Sequence, residues 1–154
     1  KVSNVEKRLA KKSLRLPNPP EPLGNFSLAQ ISGNLVYVSG HGPLQADGQY
    51  MTGKVPGTCS VDVAYHAARL TGMGALASLK ATIGDLDRVV QVVKVLGMVN
   101  ADPRFTEHPK VINGFSDLMV EAFGEVGRAA RSAVGVGSLP GDIPVEVEMV
   151  VEIK

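Results

Sequence analysis

Arg131-Ser-Ala-Val-Gly-Val-Gly-Ser-Leu-Pro-Gly-Asp-Ile-Pro-Val-Glu-Val-Glu-Met-Val-Val-Glu-Ile153 reads as two strands separated by a Pro/Gly break. In the second strand Val145, Val147, Met149 and Val151 share one face, while Glu146, Glu148 and Glu152 project from the other. In the first, Val134 and Val136 share a face with Ser132, and Arg131, Ala133 and Gly135 line the opposite one. Antiparallel pairing across Leu139-Pro140-Gly141-Asp142 would bring Arg131 and Glu146 together at one end of a sheet. A guanidinium there offers a planar fork for a carboxylate, and a nearby Glu offers a proton acceptor. An ion pair from Arg131 to Glu146 or Glu148 is the plain structural alternative.

Upstream, the chain alternates strands and helices. Ser3-Asn-Val-Glu6 has capping-box spacing and predicts a short helix, ended by Pro17, Pro19, Pro20 and Pro22. Residues 1–22 are thus expected as an N-terminal arm, and 23–154 as the main domain. Lys7, Arg8, Lys11, Lys12 and Arg15 in the arm read as a solvated face. Strands are predicted over 25–31 and 34–39 around a Ser32-Gly33-Asn34 turn. A Gly-rich loop with room for a short strand follows over 40–57. Cys59 or Ser60 can cap a helix to about Thr82, whose apolar stripe is rich in Ala and Gly and can press close to a sheet. A strand over 88–98 and a second helix over 111–123 complete the order ββ(β)αβαββ. This predicts an α+β fold with a mostly antiparallel sheet and two helices on one face. The apolar strand Val89-Val-Gln-Val-Val-Lys-Val-Leu implies that the other face is also covered, most simply by further copies of the chain.

Composition excludes several functions. At 154 residues and 44% hydrophobic, the chain supports one real core. A formal net charge of +1 and 5% aromatic residues leave neither the field nor the stacking platforms for nucleic acid. No apolar run reaches the roughly 20 residues of a membrane span. The start shows no secretory h-region, and the single Cys59 fits a reducing, cytoplasmic setting. His41, His66 and His108 lack metal-ligand spacing, so no metal is expected. Phosphate-loop and serine-elbow motifs are absent too.

Three segments together resemble the RidA/YjgF family of enamine/imine deaminases, also called endoribonuclease L-PSP-like. They are Ala130-Arg-Ser-x-Val-x-Val-x-x-Leu-Pro140 with its Val-Glu-Val-Glu strand, Gly33-Asn-Leu-Val-Tyr-Val-Ser-Gly-His-Gly-Pro43, and Val111-Ile-Asn-Gly114. The resemblance runs from about Leu23 to Ile153. It implies a chorismate-mutase-like homotrimer with ligand sites in clefts between subunits and no cofactor. It further implies that Arg131 holds a substrate carboxylate bidentately and that Glu146 serves the reacting imine and its water. Gly40 would line the pocket with backbone, and Asn113 matches a family position, although an Asn near a helix start is also a common cap.

Departures from the family pattern point to a divergent subgroup. Phe26 stands where the family has a Tyr, and so walls the pocket without a hydroxyl. Ala133 replaces a frequent Cys but keeps its backbone N–H. His41 places a titratable group where deaminases more often have Gln. The expected function is binding of small carboxylates and hydrolysis of 2-imino acids to 2-oxo acids and ammonia. A non-catalytic metabolite-binding module using the same Arg131 is the rival reading, favoured by the missing hydroxyl. An endoribonuclease is disfavoured by charge and composition.

Overall fold

The computed structural model describes residues 2–154. Ser3 and Glu6 form the reciprocal capping box, opening helix α1 (Asn4–Ala10), an arrangement that stabilises a helix start by about 1 kcal/mol. Asp87, far along the chain, adds a second cap by accepting from the Asn4 and Val5 amides at 2.8 and 3.1 Å. Val5 and Leu9 are buried in the core, and Lys80 pairs with Glu6 at 2.8 Å. The helix of the arm is therefore packed into the body of the protein.

Strands β1 (Ala29–Ser32) and β2 (Leu35–His41) make the expected hairpin, with Gly33 at φ 62° in its turn. The 42–57 loop forms only isolated bridges, Leu44 to Tyr50 and Val55 to Ala101. Ser60 caps helix α2 (Val61–Ile83) through its side chain. Strand β3 (Val89–Asn100) leads into helix α3 (His108–Phe123), which begins a turn earlier than expected, with Pro109 in its first turn. Asn113 consequently lies inside the helix rather than at its cap. Strands β4 (Ala130–Val136) and β5 (Val145–Ile153) follow.

The last two strands do not pair with each other. Sheet order is β1-β2-β5-β3-β4: β5 lies between β2 and β3, antiparallel to both, and β4 runs parallel to β3 on the edge. The physical reason is the βαβ crossover through α3, which returns the chain to the same end of the sheet and makes β4 parallel. The β4–β5 connection is accordingly not a hairpin turn. Lys54 braces it, donating to Asn100 Oδ1 at 2.8 Å and to the Gly137 carbonyl at 2.7 Å. Asn100 in turn donates to Asp142 and to the Ile143 carbonyl.

Helices α2 and α3 cover one sheet face. Val36, Val38, Val95, Val99, Val147 and Met149 point into that core. The helices cross closely enough that a Cβ on Gly114 would collide with the Tyr65 carbonyl. The opposite face, bearing Tyr37, Leu96, Met98, Val134 and Val150, has no cover among the described residues: Tyr37 is 49% and Val134 42% exposed. The alternation read along β4 holds. Val134 faces out, while Arg131 and Ala133 face α3.

Candidate functional site

Arg131 enters the sheet opposite Val95 and projects toward α3. Its Nη1 donates to Asn113 Oδ1 at 2.8 Å and to Ser116 Oγ at 3.1 Å. Asn113 and Ser116 are three apart on one helix, so both face the strand. Neither Glu146 nor Glu148 pairs with Arg131, and no carboxylate among the described residues does. The guanidinium is thus steered by two neutral oxygens and keeps its charge uncompensated. Ala133 lies two residues on, on the same face, partly buried against the core.

Glu146 is opposite Met98 on the uncovered face of the sheet. Within one chain it is therefore on the other side of the sheet from Arg131, which corrects the expectation that the two meet. The expected meeting required a β4–β5 hairpin; β3 separates these strands, and their side chains point opposite ways. The carboxylate makes no hydrogen bond or ion pair among the described residues. Burial, and secondarily the neighbouring Glu148 charge, push its pKa above the usual value.

Gly40 lies against Glu146, and a Cβ there would overlap the carboxylate. Phe26, just before β1, is 49% exposed, and together with Gly40 and His41 it lines one cavity. His41 differs from an open, titrating cleft residue. It is buried, with Nδ1 2.6 Å from the Ser39 carbonyl and Nε2 2.8 Å from Ser78 Oγ. A carbonyl only accepts, so Nδ1 carries the proton and Nε2 accepts from the Ser78 hydroxyl. Burial lowers the His41 pKa, keeping the ring neutral.

The sequence residues thus fall into two groups. Arg131, Asn113 and Ala133 form one between β4 and α3; Phe26, Gly40, His41 and Glu146 form the other around the end of β2. Ser116 was missed, although its spacing from Asn113 is a legible signal. Residues of the arm and of α2 around the cavity carry no motif.

The family model described as "YjgF/chorismate_mutase-like, putative endoribonuclease" matches residues 6–151. The chain belongs to the YjgF/RidA family. Among family relatives, it is 41% identical over 151 residues to Protein TCP17 of Trypanosoma cruzi, covering 97% of this chain and 94% of that one. It is 31% identical over 145 residues to a 2-iminobutanoate/2-iminopropanoate deaminase of Dermatophagoides farinae, covering 94% and 98% respectively. The crystal structure of Atu1372 from Agrobacterium tumefaciens, a protein of unknown function, superposes with a TM-score of 0.91 at 41% identity. That alignment covers 97% of this chain and 92% of that one. The YjgF/RidA fold accounts for the α+β architecture and its mixed sheet.

Proposed function

We propose that the protein binds small 2-oxo and 2-imino carboxylates at a site completed by a second copy of the chain, and that it hydrolyses the imino acids. The observation that carries this reading is the pair of uncompensated charges. Arg131 is oriented by Asn113 and Ser116 without a carboxylate partner, and Glu146 is half-buried without a cation. A substrate carboxylate matches the first, and a reacting imine with its water matches the second. The two lie on opposite faces of one sheet, so one chain cannot supply both to one ligand. The uncovered face with Tyr37, Met98 and Val134 is the surface on which neighbouring copies would close the site, as a homotrimer.

In this reading Glu146 accepts a proton from water as the oxygen attacks the imine carbon, and returns it to the nitrogen. Glu146 then carries the remaining hydroxyl proton of the carbinolamine to the nitrogen as the C–N bond breaks, so that ammonia leaves and the 2-oxo acid remains. No redox step is involved. A carboxylate whose pKa is raised by burial is better suited to give the proton back near neutral pH. The similarity to the Dermatophagoides farinae deaminase supports the activity.

The test is ammonia release from freshly generated 2-imino acids, measured against the spontaneous hydrolysis. Glu146→Gln keeps the shape of the site but removes its basicity, and is expected to lower the enzymatic rate by about 10²–10⁴-fold. A wild type that never exceeds the spontaneous rate would replace the deaminase by a binding module. Phe26, which brings no hydroxyl to the pocket, is the feature that favours that second reading.

A further inference from the structure

Beside Gly40 lies a cavity of about 760 Å³, closed by the arm from Ser13 to Glu21. Its floor is the α2 surface at Leu70, Met73 and Gly74, and its walls include Leu44, Tyr50 and Phe26. His41 adds no free polar atom, because both ring nitrogens are engaged inside the protein. Among the described residues the charged lining ones, Arg15 and Glu21, lie on the exposed arm. The space is mostly apolar, with Asn18, Gln45 and Tyr50 as its neutral polar margin, and of a size that holds a small organic molecule.

Two observations connect it to the proposed site. Gly40 is a wall of the cavity and also the residue against which the Glu146 carboxylate rests. The arm that roofs the cavity, over residues 15–23, makes no hydrogen bond or ion pair with any described residue, although α1 before it and β1 after it are firmly held. Leu14, Pro17, Pro19 and Pro20 are the arm's apolar contribution to the lining. Such a chamber is far larger than the methyl group of a 2-iminopropanoate requires.

We infer that this cavity receives the side chain of the substrate, and that the protein is selective for 2-imino and 2-oxo acids carrying bulky apolar side chains. The inference rests on the reading of Arg131 and Glu146 given above. Burial of several additional methylenes there is expected to strengthen binding by about tenfold or more over pyruvate.

Calorimetric titration of pyruvate, 4-methyl-2-oxopentanoate and 2-oxooctanoate into the full chain tests this. Wild type is expected to bind the two larger acids more tightly, and Arg131→Lys to weaken all three. Gly74→Leu places a side chain in the cavity. A Cβ at Gly74 meets nothing nearer than His41 Cδ2 at 3.8 Å, and Leu is the better helix former. That variant is expected to erase the preference for the larger acids over pyruvate, with Gly74→Ala producing a smaller shift in the same direction. Equal wild-type affinities for all three acids, with binding lost in Arg131→Lys, would overturn the cavity assignment and leave the anchor standing. A size preference removed by Gly74→Leu but indifferent to Arg131→Lys would uphold the cavity and overturn the anchor. No binding by any of the acids would overturn both.

Discussion

Gly40 and the Glu146 carboxylate are in direct contact, with no room between them for one methyl group. The atom that a new Cβ would strike is the end of a flexible side chain, so Gly40→Ala should displace the carboxylate rather than unfold the strand. Displacements near 1 Å at a reacting centre can cost about 10²-fold in rate. Imine hydrolysis by Gly40→Ala is expected to fall by roughly that factor while its melting curve stays close to wild type. Full activity with Gly40→Ala would remove Glu146 from the chemistry.

Arg131→Lys keeps the charge and loses the fork. Lys has no planar pair of donors, and it cannot hold Asn113 and a carboxylate in the same geometry. Affinity for a 2-oxo acid is expected to weaken by about 1.5–3 kcal/mol with the fold intact. Unchanged affinity by calorimetry, in a folded variant, would make Arg131 a structural residue.

Val134 sits on the uncovered face and is already exposed in the single chain, so Val134→Asp should leave the subunit folded. In an assembly that buries this face, an unpaired carboxylate is costly. Sedimentation equilibrium is expected to show a trimer for wild type and smaller species for Val134→Asp, with activity lost in parallel. A wild-type monomer at micromolar concentration would sink the shared site.

Acid should weaken the fold through His41. Its folded pKa lies below the ordinary value because burial penalises the imidazolium. Between about 6.5 and that lower pKa the unfolded chain takes up a proton that the folded one does not. The stabilisation is present above about pH 6.5 and is lost as pH falls through the folded pKa. Its slope is at most about 1.4 kcal/mol per pH unit. Glu146, whose folded pKa is raised, acts in the opposite sense: its contribution is present below its unfolded pKa and fades as pH rises through the folded one. His41→Asn, which can still donate to the Ser39 carbonyl, should flatten the fall in melting temperature between pH 7 and 5 relative to wild type. An identical fall in both proteins would show that another group carries it.

Gly114 tests how tightly the two helices meet. A Cβ there strikes backbone of α2, at the Tyr65 carbonyl, which cannot swing aside as a side chain can. Gly114→Ala is expected to destabilise by at least the ~1–3 kcal/mol typical of overpacking, despite the better helix propensity of Ala. Equal or higher stability in denaturant unfolding would mean that the helices separate easily.

Much of this was legible because local chemistry writes local structure. The Ser3–Glu6 box and the Ser60 cap set helix starts, and the Val/Glu alternation in β5 fixed which residues enter the core. Period-two alternation, however, records which side chains share a face and not which strand lies alongside. For that reason β4 reads as the partner of β5 although β3 is its neighbour, and Arg131 and Glu146 read as close although a sheet lies between them. Burial of His41 depends on Ser78, which is distant in sequence, and the cavity depends on the arm folding back over α2. Such relationships exist only after the chain has closed.

The position of β5 has a consequence for how that closure happens. Strands β1 and β2 make one ribbon and β3 and β4 another, and no hydrogen-bonded pairing joins the two except through β5. Until the strand that comes last in sequence slots between them, β2 and β3 each present an open edge, a template for pairing with the wrong chain. The step that completes the sheet also brings Tyr37 beside Val150, residues from opposite ends of the sequence. Contacts of such long sequence separation form slowly. A synthetic peptide spanning 145–153 should therefore compete for the vacant slot during refolding, acting as a decoy for the keystone strand.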